Sequence, residues 1–181
     1  MRFAAALFAA ALLAALGSTT ASAALKPGAA APGFTARASL GGKEFDFSLS
    51  DALKKGPVVL YFYPAAFTPG CTQEAHEFAE AVDKFAALGA SVIGVSADDI
   101  DVLSKFSVSE CRSKFPVAAD AEKDIMAAFD AVMPGKPEYA NRTSYVIAPN
   151  GEIIYSYTAL DPSGHVGNTL AAVEKWKAAQ K

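Results

Sequence analysis

The chain has 181 residues, with 16 Lys and Arg against 19 Asp and Glu, a net charge of −3. Weak acidity excludes the basic footprint of a nucleic-acid binder, and 52% hydrophobic with 19% charged residues excludes a disordered chain. Two cysteines are too few for a disulfide scaffold or a four-thiolate metal site, and His76 and His165 stand in no metal-binding spacing.

Residues 1–23 distort the composition. Arg2 gives a positive start, Phe3 to Leu16 is an uncharged run dominated by Ala and Leu, and the stretch closes on Ala21-Ser22-Ala23. That order describes a secretory leader cleaved after Ala23. The alternative, a membrane anchor, asks for about 20 apolar residues, more than this run supplies. The expectation is a cleaved leader over 1–23 and one exported domain over 24–181, periplasmic in a bacterium or secreted, with no membrane attachment after cleavage. Export would place both cysteines in oxidising surroundings.

In the domain, Phe34 to Ala38 and Glu44 to Ser48 flank Gly41-Gly42 and predict a hairpin. Ser50 is the expected cap of a short helix, Asp51 to Lys55, which Gly56-Pro57 ends. Val58 to Tyr63 is continuously apolar and β-prone, as a strand buried on both faces must be. Cys71 to Leu88 places Ala75, Phe78, Ala79, Val82, Phe85 and Ala86 at helical spacing, stopped by Gly89. Ser91 to Ser96 is a second buried strand. Helices are expected from Asp98 to about Lys114 and from Lys123 to Val132. Thr143 to Ala148 and Glu152 to Thr158 form a hairpin around Pro149-Asn150-Gly151, and His165 to Lys177 is a closing amphipathic helix. This alternation predicts an α/β fold, a central mixed sheet with helices on both faces, and a site at the carboxyl end of the first buried strand.

The segment at that strand end is Pro64-Ala65-Ala66-Phe67-Thr68-Pro69-Gly70-Cys71-Thr72-Gln73-Glu74. Thr68 suits an N-cap and Pro69 the first helical position, so Cys71 falls third in the helix. There free backbone N–H groups and the positive end of the helix dipole favour a thiolate, the reactive form. The alternative is a small buried Cys packed as a hydrophobe.

The run YFYPAAFTPGCTQEAHEF resembles the active-site signature of peroxiredoxins, Pro-x-x-x-Thr/Ser-x-x-Cys, filled here by Pro64, Thr68 and Cys71. The TPGCT wording followed by Glu74 is most similar to the Q-type, or bacterioferritin-comigratory, branch. Gly28 to Phe34, Arg142 to Ile147 and Pro149-Asn150-Gly151 extend the resemblance over about residues 25–178. It implies a thioredoxin-like fold and reduction of hydrogen peroxide or organic hydroperoxides without metal, haem or flavin. Electrons would come from a thioredoxin-like or other thiol reductant. Cys71 would attack the O–O bond, Arg142 would stabilise the thiolate and polarise the peroxide, and Thr68 would hydrogen-bond substrate or thiolate. Pro64 would shield the sulfur and Glu74 would orient Arg142. The plain alternatives are a surface charge at a strand start for Arg142 and a first-turn acid on the helix dipole for Glu74. A monomer is expected, with a dimer as the alternative.

Many Q-type members carry a resolving cysteine five residues after the first, and that position is His76 here, expected as an exposed helical residue without an acid partner. Some members place the resolving cysteine in the following helix, where Cys111 falls. Cys111 would then resolve Cys71 through a disulfide. A free thiol in a one-cysteine peroxidase and a permanent structural disulfide are the other readings. A Cys71–Cys111 bond is expected to require unwinding of the first turn of the Cys71 helix. Two further functional classes are a thiol–disulfide oxidoreductase, which lacks its C-x-x-C motif here, and a non-catalytic binding domain.

Overall fold

The computed structural model describes residues 24–180; the expected leader, residues 1–23, lies outside them. One seven-stranded sheet runs through the domain: β1 (Thr35–Leu40), β2 (Lys43–Ser48), β3 (Val58–Phe62), β4 (Ser91–Ser96), β5 (Val117–Ala119), β6 (Thr143–Ile147) and β7 (Ile153–Thr158), in the order β2-β1-β5-β4-β3-β6-β7. β3, β4 and β5 are mutually parallel, and the remaining pairings are antiparallel, so the sheet is mixed as expected.

The continuous apolar run of β3 serves two cores at once. Val59, Tyr61 and Tyr63 enter one cluster with Phe78 and Phe85 of α2 (Pro69–Ala87), Leu103 and Phe106 of α3 (Ile100–Ser109) and Val173 of α5 (His165–Ala178). Val58, Leu60 and Phe62 enter the other with Leu49 and Leu53 of α1 (Leu49–Leu53) and Met126 of α4 (Asp124–Ala128). Period-two alternation along one strand thus puts helices on both faces of the sheet. Among the described residues, no helix is long and apolar enough to cross a membrane.

Local signals explain most boundaries. Gly41 and Gly42 both have positive φ, 56° and 78°, which a two-residue hairpin turn matched to strand twist requires. α1 starts two residues earlier than expected because Ser48, not Ser50, accepts the Asp51 N–H; Ser50 lies inside the helix, its hydroxyl bonded to that of Ser48. The helix expected to reach Lys114 ends at Ser109, and Arg112 and Ser113 take left-handed backbone at φ 51° and 55°. The chain then forms β5, which the sequence reading missed; three residues carry too little periodicity to announce a strand. α4 is shorter than Lys123 to Val132, because Lys123 and Asp130 are themselves left-handed and bound it. Two carboxylate oxygens of Asp120 accept the N–H groups of Ile125 and Met126 and satisfy its first turn.

Tyr61 faces Gly94 across the β3–β4 pair and stacks on Phe78 with centroids 4.4 Å apart. A Cβ on Gly94 would stand 2.7 Å from the Tyr61 ring. Gly94→Ala is therefore expected to displace Tyr61 and destabilise the domain by about 1–3 kcal/mol; urea unfolding of wild type and variant measures this, and an unchanged midpoint would contradict it.

Candidate active site

β3 ends at Phe62, and the chain turns through Pro64 to Thr68 into α2. The loop is held by Asp98, whose Oδ2 accepts from the Ala66 N–H and from Ser96 Oγ, each at 2.8 Å. Phe67 adopts φ 62° and sets its ring edge-on to Phe106 at 5.2 Å. Thr68 stands in extended backbone at the N-cap, and Pro69 begins the helix, so Cys71 is third in the helix as expected. The cap itself differs: Thr68 Oγ1 donates to the Ala65 carbonyl at 2.9 Å rather than accepting from the helix. Pro64 is half-buried, and Thr68 is exposed.

Cys71 is 1% exposed. Arg142, one residue before β6, reaches it from the adjacent strand, with Nη2 3.6 Å from Sγ. The same guanidinium uses every edge: Nη1 donates to Glu74 Oε2, and Nε donates to the Leu160 carbonyl at 2.9 Å. Glu74 lies one turn past Cys71 on α2 and is fully buried. Thr68, Cys71, Glu74 and Arg142 thus meet at one helix N-terminus, with Pro64 in the loop just ahead of it and Arg142 paired with Glu74.

The electrostatics follow from burial. Burial pushes the Glu74 carboxyl up to about 8, against the opposing pull of Arg142. Burial also works against the Arg142 charge, but Glu74 and Cys71 together hold its pKa above the ordinary value. Gly70 matters by what it lacks: a Cβ there would meet Arg142 Nη2 at 3.0 Å. A side chain there would make the guanidinium give by a few tenths of an ångström.

Cys111 follows α3 directly, is completely buried, and is a free thiol, as is Cys71. Burial, with Glu110 adding to it, pushes the Cys111 thiol well up. Both cysteines belong to the core cluster that contains Tyr61 and Tyr63. The Cys111 segment is pinned to α2 by three ion pairs at alternate residues: Glu110 to His76 at 2.8 Å, Arg112 to Glu80 at 3.1 Å and Lys114 to Asp83 at 3.7 Å. His76 is half-exposed but does have an acid partner, Glu110, which corrects the sequence expectation. The partner lies 34 residues away and comes into reach only through packing of α3's end on α2.

Two buried polar residues near the site, Ser144 and His165, were given no site role from the sequence. Ser144 on β6 and His165 at the start of α5 lie 2.7 Å apart, and His165 Nδ1 is 3.6 Å from Glu74 Oε1. A serine in an apolar strand and a histidine opening a helix carry no signal by themselves; their meeting depends on the β6–α5 packing.

Residues 27–156 match the AhpC/TSA family. The chain is 36% identical over 154 residues to the chloroplastic peroxiredoxin Q of Oryza sativa subsp. japonica, covering 81% of this chain and 66%, just under two-thirds, of that protein. It is 33% identical over 147 residues to a putative peroxiredoxin of Mycobacterium tuberculosis, covering 78% of this chain and 90% of the relative. Among solved structures it superimposes on peroxidoxin BcpB of Mycobacterium tuberculosis with a TM-score of 0.76 and 31% identity, covering 83% and 97% of the two chains. It superimposes on peroxiredoxin Q of Xanthomonas campestris with a TM-score of 0.69 and 27% identity, covering 78% and 90%. These relatives correct the expected location: the rice proteins matched by this domain are chloroplastic, an internal compartment, and not periplasmic or secreted. The oxidising surroundings inferred from export therefore drop out of the account of the two cysteines.

Gly70→Ala is expected to push Arg142 off Sγ and slow the reaction of Cys71 with peroxide about tenfold, a loss of about 1.4 kcal/mol, while leaving the fold intact; stopped-flow kinetics and a melting curve check this together. Glu74 carries a folded-state pKa of about 8 against an ordinary 4.5, so the folded protein binds a proton that the unfolded chain releases between those values. Its contribution to stability is whole below the lower value and is lost as pH rises through the upper one. The urea midpoint of wild type should therefore fall across that window relative to Glu74→Gln; parallel profiles would refute the assignment.

Proposed function

The chain belongs to the AhpC/TSA family of peroxiredoxins, and we propose that it is a thiol peroxidase that reduces hydrogen peroxide and organic hydroperoxides through Cys71. The observation that carries this reading is the Arg142 guanidinium 3.6 Å from a cysteine sulfur in the first turn of α2. The positive end of the helix dipole and a fixed cation there both face the sulfur.

In the proposed reaction the Cys71 thiolate attacks the terminal peroxide oxygen. The S–O bond forms as the O–O bond breaks, and the O–O electron pair leaves on the alkoxide or hydroxide, which takes a proton to become alcohol or water. Sulfur is oxidised by two electrons to the sulfenic acid and the peroxide is reduced by two. Arg142 donors meet the charge developing on oxygen. Thr68 Oγ1 keeps its lone pairs free while donating to Ala65 and accepts the peroxide O–H, Pro64 walls the sulfur, and Glu74 holds Arg142.

Cys111 is the proposed resolving thiol. Its sulfur would displace water from the sulfenic acid, giving a Cys71–Cys111 disulfide, and an external thiol pair would reduce that bond and itself become a disulfide. A bond needs the two Cα atoms within about 7 Å. We assign the movement to the first turn of α2 and to the Cys111 segment, whose three ion pairs on the half-exposed or exposed side of α2 are of the weak kind. The proposed reductant is thioredoxin-like or another thiol, the proposed working unit is a monomer spanning 24–181, and neither nucleic acid nor membrane takes part. The complete burial of Cys111 and its raised thiol pKa favour a second reading, a one-cysteine peroxidase in which an external thiol attacks the sulfenic acid directly.

One equivalent of peroxide added to the reduced protein, followed by intact mass, separates these. Loss of two hydrogens in wild type with gain of one oxygen in Cys111→Ser is the expected result; gain of oxygen in both points to the one-cysteine route. Peroxide consumption that survives Cys71→Ser would sink the peroxidase assignment.

A further inference from the structure

His165 is fully buried at the start of α5 and makes three polar approaches. Its Nε2 lies 2.9 Å from the Ala159 carbonyl, which only accepts, so Nε2 carries the ring hydrogen of the neutral imidazole. Nδ1 then presents a lone pair. Ser144 Oγ, 2.7 Å away, donates to it, and Glu74 Oε1 stands 3.6 Å from it. Glu74 Oε1 is itself buried without a hydrogen-bond partner, while Oε2 takes Arg142. An ionised Glu74 would hold a bare anionic oxygen in the core, facing a lone pair. A single proton on Oε1 removes the conflict: the oxygen is then neutral, and its O–H faces Nδ1, whose one lone pair it shares with the nearer Ser144 hydroxyl.

We propose that His165 is a positioning residue that keeps a proton on Glu74 Oε1, in competition with the Ser144 hydroxyl for Nδ1, so that Arg142 directs its charge to Cys71 and the peroxide and not to Glu74. The proposal rests on the reading of Cys71 as the reacting thiolate. The charge balance supports it: with Cys71 anionic, Arg142 cationic and Glu74 neutral, the buried cluster is balanced, whereas an ionised Glu74 would leave two anions on one cation and work against the thiolate. The raised Glu74 pKa and the lowered His165 pKa, the latter through burial first, agree with a neutral acid beside a neutral imidazole. The other groups facing the pair are Glu77 on α2, Tyr61 on β3, Tyr157 on β7 and Asp161 ahead of the short 3-10 turn at Pro162–Gly164. None of these is bonded to Oε1, which is left to His165.

The test is the pH profile of the rate of Cys71 with hydrogen peroxide, measured in Cys111→Ser so that one thiol is followed. The parent should lose rate as pH rises past about 8, where the Glu74 proton leaves. Glu74→Gln should lack that falling limb. His165→Leu removes the acceptor for the Glu74 proton and should move the midpoint down by about one unit, a tenfold loss in proton affinity. Ser144→Ala frees Nδ1 for Glu74 and should move it up, which keeps the proposal testable if His165→Leu does not fold in a melting experiment. A falling limb that persists in Glu74→Gln, or a midpoint unmoved in the folded His165 and Ser144 variants, overturns the proposal. Alkylation of Cys71 by iodoacetamide over the same pH range reads the thiolate without peroxide. A shift seen there in a protein that reduces no peroxide would therefore refute the peroxidase reading while leaving the proton assignment standing.

Discussion

The guanidinium of Arg142 is the joint of this molecule. From a position just ahead of β6 it binds the first turn of α2 through Cys71 and Glu74 and the segment after β7 through the Leu160 carbonyl. A buried cation is costly in a low-dielectric interior and is tolerated only when its hydrogen-bonding edges are occupied and its charge is answered. Each edge here has a partner, and the partners come from two separate stretches of chain, α2 and the segment after β7. Charge satisfaction and assembly of the site are therefore one event: the helix cannot take its place over β3 without delivering Cys71 to Arg142.

The close fit depends as much on missing atoms as on present ones. Gly70 leaves room for Nη2 beside the helix start, and Gly94 leaves room for Tyr61, which stacks under α2 on Phe78. A side chain at Gly70 would displace the Arg142 guanidinium, and one at Gly94 would displace the Tyr61 ring. Behind the arginine, Glu74, His165 and Ser144 continue the polar chain into the core. A buried polar chain of this kind is stable only with its protons in the right places, so the protonation of one carboxyl decides how much of Arg142's charge reaches the sulfur.

The second cysteine lies under a different constraint. Cys111 is sealed in the same core as Cys71, but its segment is short, partly left-handed and fastened to α2 by surface ion pairs. Surface pairs of this type add little stability each. The segment is thus secured by burial of the thiol and Phe115 more than by charge, and its release costs the exposure of those groups. His76 takes part in this fastening, at the position where many Q-type chains carry a cysteine.

Much of the architecture was legible in the residues. The apolar run of β3 declared a strand buried on both sides, the spacing of Phe78, Val82 and Phe85 declared α2, and Thr68-Pro69 set Cys71 in the third helical position, because these signals are local and periodic. The Pro64, Thr68, Cys71 pattern was likewise visible without a fold, as a family resemblance and as a cysteine in the first turn of a helix. Shorter or non-periodic features were not legible: β5 is three residues long, α1 is capped by Ser48 where Ser50 looked equally suited, and the ends of α3 and α4 depend on left-handed residues that are not glycine. The leader-like run spoke for export, yet the relatives that the domain matches in rice are chloroplastic. Sequence alone singled out Cys71 and determined the element on which it sits. Tertiary structure decided what surrounds it: the pairing of Arg142 with Glu74, the seating of His165 behind them and the burial of Cys111 all join residues dozens of positions apart, and only packing of the sheet and helices brings such groups within hydrogen-bond range.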